Sequence, residues 1–186
     1  DAFSVFSDRA RADLVRHGVP AERIATFDPL LRPVFERPCP PERRQAERQR
    51  LGIAATARVA LWSAGGEGRG VRLDGVLDRL ERRGTDVTVI ALCGRNERLL
   101  HALRRRAARP SSLRLLPFAF RDDVERLLCA SDLFVGKAGP SSTAEALVMG
   151  VPVVHASFVG ANEKAVVDWV EGGGMGRFAA GPDRLG

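Results

Sequence analysis

From Arg58 to Ala156 the chain alternates short apolar runs with amphipathic stretches, and few architectures accept that pattern. The runs fall at 58–64 (RVALWSA), 86–93 (DVTVIALC), 112–118 (SLRLLPF), 132–135 (DLFV) and 151–156 (VPVVHA). They are continuous and rich in Val, Leu and Ile, which suits strands covered on both faces. Between them Leu73, Val76, Leu77 and Leu80 keep helical spacing, as do Leu99 and Leu103, then Val124, Leu127 and Leu128. The alternation predicts an α/β fold built on a doubly wound parallel sheet. Ligands of such sheets sit beyond the carboxyl ends of the strands.

The amino-terminal part reads differently. Residues 1–6 (DAFSVF) suit a short strand, Ser7 can cap a helix to about His17, and Gly18 can end it. Six of the 11 prolines then fall between residues 20 and 41. They predict an extended linker, followed by a charged segment through Arg50. The chain accordingly divides into 1–50 and 51–186. Starting at Asp1 without a methionine, it reads as a piece of a longer protein.

With 45% hydrophobic and 28% charged residues, a packed core is expected and global disorder is not. No run reaches the roughly 18 apolar residues of a membrane span, and no signal peptide is evident. Cys39, Cys93 and Cys129 are odd in number and widely spaced, fitting neither a zinc pattern nor a disulfide framework. That favours a reducing cytoplasm, with Cys93 and Cys129 as small core residues. The net charge of +6 favours anionic company: phosphates, nucleic acid or an acidic membrane face. Nucleic acid is disfavoured, because Arg104-Arg105-Arg106 lies in an amphipathic helix without interleaved aromatics.

Three polar corners follow predicted strands. The first, SAGGEGRG (63–70), has glycines that let backbone approach a ligand, with a helix start beyond. It is not a dinucleotide fingerprint, which would need Gly or Ala where Val71 stands. Nor is GKA at 136–138 a P-loop, which needs Ser or Thr after the lysine. The second corner, GKAGPSSTAEA (136–146), starts a helix at Pro140 whose amides and dipole favour an anion, with Lys137 alongside. Glu145 has two readings: a carboxylate for vicinal ribose hydroxyls, or the far end of a capping box begun at Ser142. The third corner holds Asn162 and Glu163 at a helix entry, where they could read sugar hydroxyls or cap the helix.

Together GGEGRG, CGRNERL (93–99), FRDDVERLLCASDLFVGKAGPSSTAEAL (120–147) and ANE (161–163) resemble the carboxy-terminal domain of glycosyltransferase family 28. The resemblance covers about residues 51–178. It implies a Rossmann-like carboxy-terminal half of a GT-B enzyme, in the branch of monogalactosyldiacylglycerol synthase and the processive diacylglycerol glucosyltransferases. Residues 1–50 would then be the end of an acceptor domain and the interdomain linker, and 51–186 the nucleotide-sugar domain. By the same resemblance Gly66, Glu67 and Gly68 line a diphosphate loop, and backbone near Phe120 and Arg121 holds uracil. Gly139, Pro140, Ser141 and Ser142 present helix amides to the diphosphate, Glu145 binds ribose, and Asn162 and Glu163 meet the sugar. Arg32 and Lys137 approach the diphosphate.

The implied reaction is inverting transfer of a hexosyl group from a UDP-sugar to an acceptor, a membrane lipid, with no cofactor and no metal. The implied setting is cytoplasmic, peripheral at the inner membrane face. A base must deprotonate the acceptor; the resemblance assigns it to an amino-terminal acceptor domain or a partner subunit. Within the chain, His155 at a strand end is a candidate, while His101 reads as surface. Two alternatives stay open: a nucleotide-sugar-binding subunit that needs a separate acceptor subunit, and a UDP-sugar epimerase of the same fold. The chain also departs from the family. Ala161-Asn162-Glu163 stands where Gly-Gln-Glu is usual, Val166 replaces an asparagine, Ser141-Ser142 replaces Gly-Thr, and PLLRP around Arg32 carries one extra residue.

Overall fold

The computed structural model describes residues 2–5, 8–26, 31–35, 37–66 and 73–180. The chain begins with β1 (Phe3–Val5), α1 (Asp8–Arg16) and β2 (Ile24–Thr26), the two strands pairing in parallel. A 3₁₀ turn at Pro33–Phe35 leads to α2 (Pro41–Arg50). Then strands and helices alternate: β3 (Val59–Ser63), α3 (Asp74–Arg82), β4 (Thr88–Leu92), α4 (Glu97–Ala107), β5 (Arg114–Phe118), α5 (Val124–Ala130), β6 (Leu133–Lys137), α6 (Pro140–Val148), β7 (Val153–Ser157), α7 (Gly160–Gly172) and β8 (Gly176–Phe178).

The last six strands form one parallel sheet in the order β5-β4-β3-β6-β7-β8. Each strand divides alternate residues between two cores, as a period of two requires. Val59, Leu61, Ile90 and Leu92 face Leu127 and Leu128 of α5, Ala146 of α6 and Val170 of α7. Trp62, Val89 and Ala91 face Leu77 of α3 and Leu100 and Leu103 of α4. The order reverses between β3 and β6, so the loops after these two strands diverge and leave a crevice between them. Among the described residues no helix covers the sheet beyond β3 on the α3 side. There Trp62, Leu133, Val135 and Val154 line an apolar groove of about 570 Å³.

The predicted charged segment before Arg50 is largely helix. Its residues, PERRQAERQR, show no apolar stripe, but Pro41 occupies the first helical position and Arg48 docks the helix against α5. The Arg48 guanidinium is buried, with Nε donating to the Ala130 carbonyl at 3.0 Å, Nη1 to the Ala55 carbonyl at 2.6 Å and Nη2 to Asp132 at 2.8 Å. A buried charge so fully partnered is a fixing point.

The expectation of no disulfide is corrected as well. Cys39, in the proline-rich segment, is bonded to Cys129 at the end of α5, with Cα atoms 5.3 Å apart. That span is ordinary for a disulfide. A separation of 90 residues gives no sign of the contact, which arises only when the segment before α2 folds back on α5. The cysteine pattern therefore no longer argues for a reducing compartment. Cys93 is a buried core residue, as expected, and burial pushes its thiol up to about 11.

Candidate functional site

The crevice between β3 and β6 holds a cleft of about 420 Å³. Its walls include Gly65 and Gly66 after β3, Lys137 at the end of β6, Gly139 to Ser142 and Glu145 from α6, and Glu163 from α7. It runs into a recess of about 100 Å³ lined by Gly94, Phe120 and Arg121, the two sharing Ser63, Gly65, Gly66, Leu92 and Val124. One continuous crevice thus gathers Gly66, Phe120, Arg121, Gly139, Pro140, Ser141, Ser142, Glu145, Lys137 and Glu163. Glu67 and Gly68 lie outside the described residues. Asn162 occupies the first turn of α7, with its side chain outside the description.

Each wall follows from local sequence. Gly139 ends the β6 corner in extended conformation and Pro140 opens α6, so Ser141 and Ser142 supply amides of the first turn, which have no helical partner upstream. The capping-box reading of Glu145 is not realised. The helix starts at Pro140, the Ser142 hydroxyl donates to the Gly139 carbonyl at 3.2 Å, and Glu145 turns toward Arg32, with Nε to Oε1 3.5 Å. Burial pushes the Glu145 carboxyl above its ordinary range, opposed by Arg32 and reinforced by Glu125 of α5.

At the third corner Glu163 does cap: one oxygen accepts the Val159 amide at 2.6 Å, and the other pairs with Lys137. A register shift in β6 between Gly136 and Lys137 accompanies this contact. Cation and carboxylate therefore stand side by side in the cleft wall.

Around the recess, Arg121 is committed to its neighbour. Two bonds of 2.6 Å join it to Asp123, which raises the arginine and lowers the aspartate from their ordinary values. Its guanidinium also lies over Phe118. That leaves backbone at this position for a ligand. Phe120 is exposed, with the Arg95 guanidinium 5.0 Å from its ring centre. Gly94 and Arg95, which sequence reasoning quoted without a role, support the glycine loop: the Arg95 amide donates to the Gly66 carbonyl at 3.0 Å. The signal was the positive φ that a glycine just after a strand allows; Gly94 sits at +58°.

His155 is corrected as a candidate base. It is wholly buried, its Nε2 is 2.9 Å from the Thr143 hydroxyl, and burial lowers its pKa, so it stays neutral. It sits beneath α6 instead of in the cleft. His101 is exposed on α4, as read from sequence.

A parallel sheet with glycine-rich turns and a helix start meeting at its switch point defines a Rossmann-like domain of the GT-B kind. Residues 72–164 match the glycosyltransferase family 28 C-terminal domain, and the chain belongs to that family. It is 27% identical over 185 residues to a probable chloroplastic monogalactosyldiacylglycerol synthase of Nicotiana tabacum, covering 96% of this chain and 34% of the relative. To a probable chloroplastic monogalactosyldiacylglycerol synthase 2 of Oryza sativa subsp. japonica it is 31% identical over 143 residues, 73% of this chain and 29% of the relative. The chain spans about a third of the length of these curated relatives. In fold it is similar to Acinetobacter baumannii MurG, with TM-score 0.64, 17% identity, and coverage of 100% of this chain and 62% of that one. It is likewise similar to Anabaena Alr3699/HepE in complex with UDP, with TM-score 0.62, 21% identity, and coverage of 99% and 51%. Among the described residues no helix is long and apolar enough to cross a membrane.

Proposed function

We propose that this chain is the UDP-sugar-binding half of an inverting hexosyltransferase that glycosylates a membrane lipid from the cytoplasmic face. The observation that carries the reading is the crevice joining the glycine turn after β3, the start of α6 and the largely shielded Glu145. A UDP-sugar suits it in three parts. Uracil enters the recess beside Phe120 and the backbone at Arg121, and the ribose hydroxyls meet Glu145. The diphosphate lies between the 65–66 turn and the amides of Ser141 and Ser142. Lys137 and Glu163 then stand at the sugar end, one for phosphate charge and one for hydroxyls. The monogalactosyldiacylglycerol synthases among the relatives favour a lipid acceptor.

Chemically, negative charge grows on the departing UDP as the anomeric bond breaks. Fixed amides and a lysine stabilise such charge without reorganising. Single displacement requires a base for the acceptor hydroxyl, and His155 is not placed to provide it. The base is therefore assigned to the acceptor domain or a partner subunit. Isothermal calorimetry tests the reading. UDP should bind more tightly than ADP or NAD, and a chelator should leave its affinity unchanged. Equal affinities, or loss of binding with the chelator, would refute it.

A further inference from the structure

The resemblance brings Arg32 to the diphosphate; in the structure the arginine reaches α6 and the 120–123 loop, two walls of the crevice. Its Nε is 3.5 Å from Glu145 Oε1, and its Nη1 donates to the Asp122 carbonyl at 3.1 Å. The guanidinium rests 4.9 Å from the ring centre of Phe35, which is fully buried in the core beneath the sheet. The arginine is thus seated on a fixed base. One hand holds the carboxylate on α6, and the other holds the loop that carries Phe120 and Arg121.

We propose that Arg32 is a positioning residue for the nucleoside: it orients Glu145 and ties the 120–123 loop to α6. The inference rests on the reading that Glu145 meets the ribose. The electrostatics agree with the geometry. Glu145 is mostly shielded from solvent, Glu125 faces it with like charge, and Lys137 and Glu163 lie across the same cleft already paired with each other. Arg32 is the cation whose contact with Glu145 opposes the effect of burial. Its side chain is half exposed, so it can be removed without opening the core.

A double-mutant cycle on the whole chain separates positioning from phosphate binding. Arg32→Ala should weaken UDP roughly tenfold, the scale of coupling between residues in contact. In a Glu145→Gln background the same substitution should cost almost nothing more. The loss should be equal for UMP and UDP, should shrink for 2′,3′-dideoxy-UDP, and should be partly restored by Arg32→Lys. An equal cost in both backgrounds, or a loss confined to UDP, overturns the proposal. A ligand-free readout stands beside it: the Glu145 carboxyl, followed by NMR, should titrate at higher pH in Arg32→Ala. An unmoved titration overturns the assignment even if UDP binds as expected. Failure of UDP to bind the wild-type chain would instead sink the nucleotide reading while the titration still reports on the pair.

Discussion

Gly94→Ala is the sharpest test of how the glycine loop is held. Gly94 sits at φ +58°, where a side chain costs about 1–2 kcal/mol. A Cβ there would lie 2.4 Å from the Gly66 oxygen, 2.5 Å from the Gly65 oxygen and 2.9 Å from the Gly66 carbonyl carbon. All three are backbone atoms, so no side chain can rotate away. The 65–66 turn must retreat by about 1 Å to reach ordinary contact. That movement also breaks the Arg95 amide bond to Gly66, worth about 1 kcal/mol. Destabilisation should therefore total about 2–3 kcal/mol. Misaligning one amide that faces phosphate forfeits about 1.5–3 kcal/mol, or roughly ten- to a hundredfold in UDP affinity. Gly84→Ala is the control. Its φ is +59°, yet a Cβ there meets nothing within 4 Å. Urea denaturation and UDP calorimetry on both variants isolate the clash from the strain. If Gly94→Ala loses no more stability than Gly84→Ala and binds UDP normally, the loop is not supported as described.

Glu145→Gln should weaken UDP about tenfold by removing a charged acceptor, yet melt no lower than wild type at neutral pH. Because burial raises its carboxyl, the folded state holds that proton more tightly than the unfolded one. Stability therefore falls as pH rises from the ordinary range through the raised value. Gln escapes that fall, and the difference between the two proteins should vanish near pH 4; thermal melts across pH check this. Arg48→Met should cost about 1–3 kcal/mol by denaturation, since it takes the donor from the Ala130 and Ala55 carbonyls, while Asp132 keeps Arg44 and the Val59 amide. It should leave the UDP affinity of the folded protein unchanged, because Arg48 lies on α2, against α5 and away from the crevice.

Most of the sheet was legible because its strands are continuous Val-, Leu- and Ile-rich runs, a pattern that burial on both faces enforces. Less legible were elements held by other forces. α2 carries no apolar stripe and is docked by Arg48; β2 and β8 have three residues each. β6 begins at Leu133 and not at Asp132, because that aspartate accepts the Val59 amide at 2.8 Å and pairs with Arg48. At the site, glycine, proline and helix starts announce themselves, which is why the corners could be named. Pairings could not. Nothing in the spacing joins Arg32 to Glu145, Lys137 to Glu163 or Cys39 to Cys129; each contact depends on where separate elements come together. The capping-box spacing at Ser142 and Glu145 misled because the helix starts two residues earlier, at Pro140.

The claim that UDP occupies the β3–β6 crevice is tested most directly by titrating UDP into isotopically labelled protein and following backbone amides by NMR. Shifts should concentrate at Ser63 to Gly66, Ala119 to Val124 and Gly139 to Glu145, with the Gly66, Ser141 and Ser142 amides moving most. Shifts concentrated instead along the apolar groove at Trp62, Val76 and Val154, or no saturable shifts at all, would contradict it.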